Sequence, residues 1–153
     1  MKALVFGALL LAAVHASGQT REQHGAGDAF ARDGVSIVWA VLRGVNEDQT
    51  LVRLRVSADI SRYTHFAVIG INPFSKDEAL LVAPRAAASP ATVTISRARF
   101  AQFPRTDVRF FSSERDVAAG RPTLVIFYLG VPDTTPEFES EAKLTRYLEG
   151  ERK

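Results

Sequence analysis

"LVRLRV", residues 51–56, sets Val52, Leu54 and Val56 on one register and Leu51, Arg53 and Arg55 on the other. Ser57 and Ala58 continue the alternation. A period of two with charge on one side only is the pattern of a β-strand with one dry face and one wet face. Two later segments echo it, "ISRARF" (95–100) and "DVRFF" (107–111). The fold follows from asking what else lines up beside this strand.

On either side lie short segments rich in valine, isoleucine, phenylalanine and threonine: 35–43, 50–58, 65–72, 79–83, 92–100, 107–111 and 123–130. Turn chemistry separates them, with "GVNEDQ" (44–49) opened by Gly44 and Pro, Gly, Ser and Asp punctuating the rest. Regular short strands of this kind predict a mainly β domain, a sandwich or a barrel. The segment at 92–100 changes phase, because Arg97 and Arg99 fall on the side of Val93 and Ile95; a β-bulge near Ser96 would restore the register. The first, third and last segments are apolar on both sides, as in "TLVIFYLG", so both of their faces need cover.

The expected architecture is an antiparallel, immunoglobulin-like β-sandwich of about seven strands spanning 35–131. It groups the first, second and fifth strands in one sheet and the third, sixth and seventh in the other. The strand count resembles immunoglobulin-like and fibronectin-type sandwiches. The likeness is one of fold and carries no function. The sequence lacks the Cys–Trp–Cys core and a clear tyrosine corner, and Trp39 lies in the first strand. The tail, 132–153, predicts one amphipathic helix over about 136–149. Thr134 or Thr135 would cap it, Thr134 and Glu137 fit a capping box, acids come early and bases late, and Phe138, Ala142 and Leu148 form an apolar stripe edged by Tyr147. Following the last strand closely, it is expected to cover Val125 or Phe127 on the second sheet; without that cover, the same surface would be a partner interface.

The beginning of the chain reads as a secretory signal peptide over 1–16. Lys2 precedes an apolar run from Ala3 to Val14, and small residues follow at Ala16, Ser17 and Gly18. The run is shorter than the ~20 residues a membrane-spanning helix needs. Cleavage after Ala16 predicts a periplasmic or secreted protein with no membrane anchor of its own. Residues 17–34, polar and glycine-rich, read as a flexible lead-in. The 153 residues carry 19 basic and 17 acidic side chains and no cysteine. The near balance gives no field that draws in nucleic acid or membranes. The missing cysteine excludes disulfides, thiol catalysis, cysteine–zinc sites and a cysteine-linked lipid anchor.

Catalytic signals are sparse. Asp59, Ser61 and His65 sit close together in "ADISRYTHF", but a triad is defined by geometry and not by proximity along the chain. His24 and His65 are isolated, no calcium-loop spacing occurs, and no glycine-rich phosphate loop is present, so no cofactor or metal is expected. What remains is the arginines. Arg53 and Arg55 beside Arg97 and Arg99 would form a partner-binding face, with Arg43 and Arg109 extending it, and Glu47, Asp48, Asp59 or a partner supplying the counter-anions. The alternative for these residues is an ordinary solvated face. The sequence therefore predicts an exported, non-catalytic protein-interaction module of the cell envelope, with a protein partner or self-association. A small exported hydrolase and a carrier of an apolar ligand are the other readings.

Overall fold

A computed structural model describes residues 20–24, 30–87, 90–129 and 136–150. The expected signal peptide, 1–16, lies outside them. The alternation in "LVRLRV" holds: Val52, Leu54 and Val56 are buried while Arg53 and Arg55 stay partly exposed. This strand, β4 (Leu51–Ala58), runs antiparallel between β3 (Val35–Leu42) and β7 (Ala91–Ser96). A second sheet holds β5 (His65–Ile71), β6 (Glu78–Ala86), β8 (Arg105–Phe111) and β9 (Leu124–Leu129), in the order β9-β8-β5-β6 and antiparallel throughout. The expected grouping of the strands into two sheets is the one observed, and 79–83, extended to Glu78–Ala86, joins the second sheet beside β5.

The sheets meet through residues of a single phase. Trp39, opposite Leu54 in β3, packs edge-on against Tyr128 of β9 with ring centroids 5.1 Å apart. Ile37, Val41, Leu54, Phe66, Val68, Val108, Phe110 and Ile126 fill the same interior. Gly70 leaves room there for the Phe103 ring, since a Cβ at this position would come within 2.5 Å of it.

Several expectations are corrected. The chain contributes ten strands among the described residues, and the sandwich is not wholly antiparallel. The segment taken as a flexible lead-in supplies β1 (Thr20–His24), parallel to β9, and β2 (Phe30–Arg32), antiparallel to β3. A polar edge strand is held by main-chain bonds, so composition did not disclose it. No bulge forms at Ser96. The chain instead turns into a short helix, α1 (Arg97–Phe100), with the Ser96 hydroxyl accepting from the Arg99 amide, and Phe100 is carried inward to Trp39. The phase change in "ISRARF" is thus a switch from strand to helix. The loop between β8 and β9 contains α2 (Glu114–Ala119), capped by Ser113 and ended by Gly120 in a left-handed conformation.

The C-terminal helix also differs. It is α3 (Glu141–Leu148), capped by Ser140 rather than by Thr134 or Thr135, which lie outside the described residues. Glu137 and Phe138 are not helical; they form β10, parallel to β3. The Val41 amide donates to Pro136 and the Arg43 amide to Phe138, so the last free edge positions of β3 hold these residues extended. Nor does the helix lie on Val125 or Phe127. Leu144 and Leu148 sit on Val38 and Ala40, the outer face of the first sheet, with Phe138 and Tyr147 alongside; Ala142, assigned to the apolar stripe, is exposed.

The outer face of the second sheet is covered by other means. Val117 of α2 packs against the cluster of Ala67, Ile69 and Phe111. Next to it Asp107, 2% exposed, lies between Arg105 (2.7 Å) and Arg109 (3.3 Å). Arg109 also reaches Glu78 at 2.8 Å, and the Arg105 guanidinium lies 4.2 Å from the centre of the Phe127 ring. Arginine stems shield apolar surface while their heads satisfy the buried carboxylate.

Leu144 is fully buried under the helix. Leu144→Ala should therefore lower stability by about 3 kcal/mol, as for other leucine truncations in a packed core. Urea unfolding measures this, and an effect below about 1 kcal/mol would mean that the helix is not a fixed part of the first sheet.

Candidate functional site

The four arginines expected to share one face are divided. Arg53 and Arg55 project from the outer face of β4, opposite Thr94 and Thr92 of β7. Arg97 and Arg99 belong to α1, beyond the end of that strand. Arg109, expected to extend the patch, lies on the second sheet with Asp107 and Glu78. The strand-to-helix switch at Ser96 separates them, because it removes Arg97 and Arg99 from the pleat.

Most of the separated charges are neutralised from within the chain. Arg53 donates through Nε to Thr94 at 3.3 Å and pairs with Glu141 in the first turn of α3. Arg97 meets Glu47 at 3.4 Å and Glu137 at 3.1 Å. Arg43 also holds Glu137, donating to the same carboxylate, and stands 4.0 Å from Glu139. Glu47 is thus one of the expected counter-anions. The larger source is the segment 137–141, whose acids had been read as the start of a helix. Arg99 donates to Gln102 and stacks over Phe103.

Arg55 is the exception. Of the four candidates it alone makes no side-chain hydrogen bond, ion pair or ring contact among the described residues. It lines a cleft of about 240 Å³ between the first sheet and α3, together with Arg53, Pro90, Thr92, Thr145, Leu148 and Glu149. The floor comes from β4 and β7, and one wall from the last turn of α3. Such a cleft offers one unpaired guanidinium and two hydroxyls, groups suited to a carboxylate or a similar anion. Glu149 stands on the helix wall and Thr92 on the β7 side. Sequence reasoning reached Arg53 and Arg55 but missed the wall residues. The available signal was the apolar outer row Val38, Ala40 and Leu42 on β3, a surface that only a helix or a partner could cover.

The serine–histidine group has a different geometry from that of a nucleophile. The Ser61 hydroxyl donates to Asp59 at 2.6 Å, and the Ser61 amide donates to the same oxygen at 3.0 Å, which closes a local turn. These bonds hold the Asp59 carboxyl below its ordinary range. His65 pairs through Nδ1 with Thr64. In a triad the imidazole lies between the hydroxyl and the carboxylate; here the hydroxyl is bonded to the carboxylate directly. Among the described residues no group of three His, Cys, Asp or Glu side chains is placed to hold a metal ion, and no helix is long and apolar enough to cross a membrane. No family model, curated protein or solved structure matches the chain.

Hydrogen bonds first from Arg43 and then from Arg97 lower the Glu137 carboxyl from its ordinary value, outweighing the effect of burial. A carboxyl depressed in the folded state adds stability above its unfolded value, and that stability is lost as pH falls through the folded one. Glu137→Gln should therefore be less stable than the parent at neutral pH, and the two should converge in acid. Unfolding free energies measured between about pH 7 and pH 3 give the comparison; a gap that stayed constant across that range would contradict the assignment.

Proposed function

We propose that this protein is an exported, non-catalytic interaction module of the cell envelope whose partner presents an acidic group to Arg55. The observation that carries the reading is the unpaired Arg55 guanidinium in the cleft beside α3, on a surface where Arg53 already has its carboxylate. A cation left without an internal anion, when its neighbours are neutralised within the chain, is available to an external one. The leader-like residues 1–16 support export to the periplasm or the medium. The order of strands, β3-β4-β7 against β9-β8-β5-β6, supports an immunoglobulin- or fibronectin-like sandwich, a fold class that often serves as a binding scaffold. That likeness supplies context only, and the site supplies the function.

Cross-linking capture from the envelope and secreted fractions tests the reading. The parent, Arg55→Gln and Arg97→Gln serve as baits, each checked for folding by circular dichroism. The same stoichiometric partner should be recovered with the parent and with Arg97→Gln, and its recovery should fall about tenfold with Arg55→Gln, equivalent to about 1.4 kcal/mol. Equal recovery with all three would remove Arg55 from the interface.

A further inference from the structure

We infer that β7 is a docking edge which accepts an extended acidic peptide as an additional strand, placing a carboxylate of that peptide on Arg55. The inference rests on the reading of Arg55 above and adds to it the binding mode and the class of partner. Among the described residues the outer edge of β3 is occupied at both ends, by β2 at Val35–Ile37 and by β10 at Val41 and Leu42. Three strands, β1, β6 and β7, stand at the remaining edges.

These three are not equivalent. Natural sheets blunt their free edges with charge, proline and bulges, since an unprotected edge recruits strands from other chains. The β1 sequence, "TREQH", is charged. β6 carries Glu78, Pro84 and Arg85, and its pairing with β5 shifts register twice. β7, "ATVTIS", has no charge, no proline and no bulge; its register with β4 runs unbroken from Ala91 to Ser96, and four of its six residues are β-branched. Thr92 and Thr94 are exposed on its outer face, while Val93 and Ile95 are buried.

A strand added to β7 would lie two strands from β4. At the usual spacing of about 4.8 Å between strands, its outward side chains beside Thr92 come within reach of a long arginine extended from Arg55 across that threonine. Leu148 and Glu149 of the helix wall line the same cleft, and Thr92 lines it from the β7 side. Main-chain bonds supply affinity in such complexes, and alternate side chains supply selectivity. Here the selectivity is for an Asp or Glu at the outward position beside Thr92, which an alternating sequence supplies in either register. A second copy does not supply the ligand, because β7 itself, "ATVTIS", carries no carboxylate to set beside Arg55.

The probe is an eight-residue peptide of alternating valine and glutamate, blocked at both ends and fluorescently labelled, titrated into the purified protein and followed by anisotropy. It should bind, with residues 91–96 gaining amide protection in hydrogen exchange while 78–86 do not. A peptide with lysine in place of glutamate should bind at least about tenfold more weakly, as should the parent peptide to Arg55→Gln. Two further peptides, N-methylated either at every valine or at every glutamate, separate binding mode from charge. A strand directs alternate N–H groups to opposite edges, so one isomer should bind like the parent and the other should fail. If both isomers bind like the parent and Arg55→Gln still weakens them, strand addition is overturned while the role of Arg55 stands. If Arg55→Gln leaves the acidic peptide unaffected, both are overturned. Absence of binding up to millimolar peptide overturns the docking edge.

Discussion

The register of β4 is the constraint on which the remainder depends. Because successive side chains alternate, a slip of one residue against β3 or β7 would turn Arg53 and Arg55 into the space between the sheets and expel Val52, Leu54 and Val56. Two unpaired guanidiniums in that interior would cost far more than any rearrangement of pairing could return. The strand therefore has one usable register, and it sets Trp39 opposite Leu54 and Ile37 opposite Val56. With Trp39 so placed, Tyr128 and Phe100 close on it from β9 and from α1, and the two sheets become one body.

The same constraint decides where the C-terminal helix goes. On the outer face of the first sheet, the row Val38, Ala40 and Leu42 lies beside Arg55, Arg53 and Leu51. The β3 side of this face is apolar, with small Ala40 at its centre, and it accepts Leu144 and Leu148; the β4 side is cationic and receives Glu141. Helix and sheet are thus matched in shape along one column and in charge along the next. The second sheet solves its covering problem differently, with Asp107 clamped between two arginines whose stems lie over apolar neighbours. Such a pair gives less net stability than apolar packing of equal area, because both partners lose water, but removing one partner leaves the other stranded.

Much of this was legible in the residues, and the rest was hidden for identifiable reasons. Strands with a buried face show themselves through alternation, as β4 does, or through a run apolar on both sides, as β3, β5 and β9 do, and their division between sheets could be read from these patterns. Strands that contribute only main-chain bonds carry no such mark, which is why β1, β2 and β10 were not visible. At Ser96 the mistake was one of period: four residues, "RARF", are too few to show helical spacing, and the arginines were assigned to a pleat they do not occupy. The helix was placed on the wrong sheet because sequence proximity to the last strand was weighed above the complementarity of Ala40 and Arg53 with Leu144 and Glu141. The candidate site was hidden by the switch at Ser96 and by the double role of the acids in 137–141. Two of its four arginines were correctly oriented, and the acids that neutralise the neighbours of Arg55 were read as helix signals.

The pairing of β1 with β9 and of β10 with β3 has a consequence for the order of assembly. Thr20 meets Leu124, and Glu137 meets Val41, so in each pair an early strand waits for one made much later. Contacts of such long sequence separation form late and slow the folding of the whole. A chain emerging from the ribosome would present β3 and β4 as a hairpin well before the partners of β1 and of the far edge of β3 existed. Until those arrive, apolar strands stand uncovered, so the incomplete chain exposes surface that the finished fold hides.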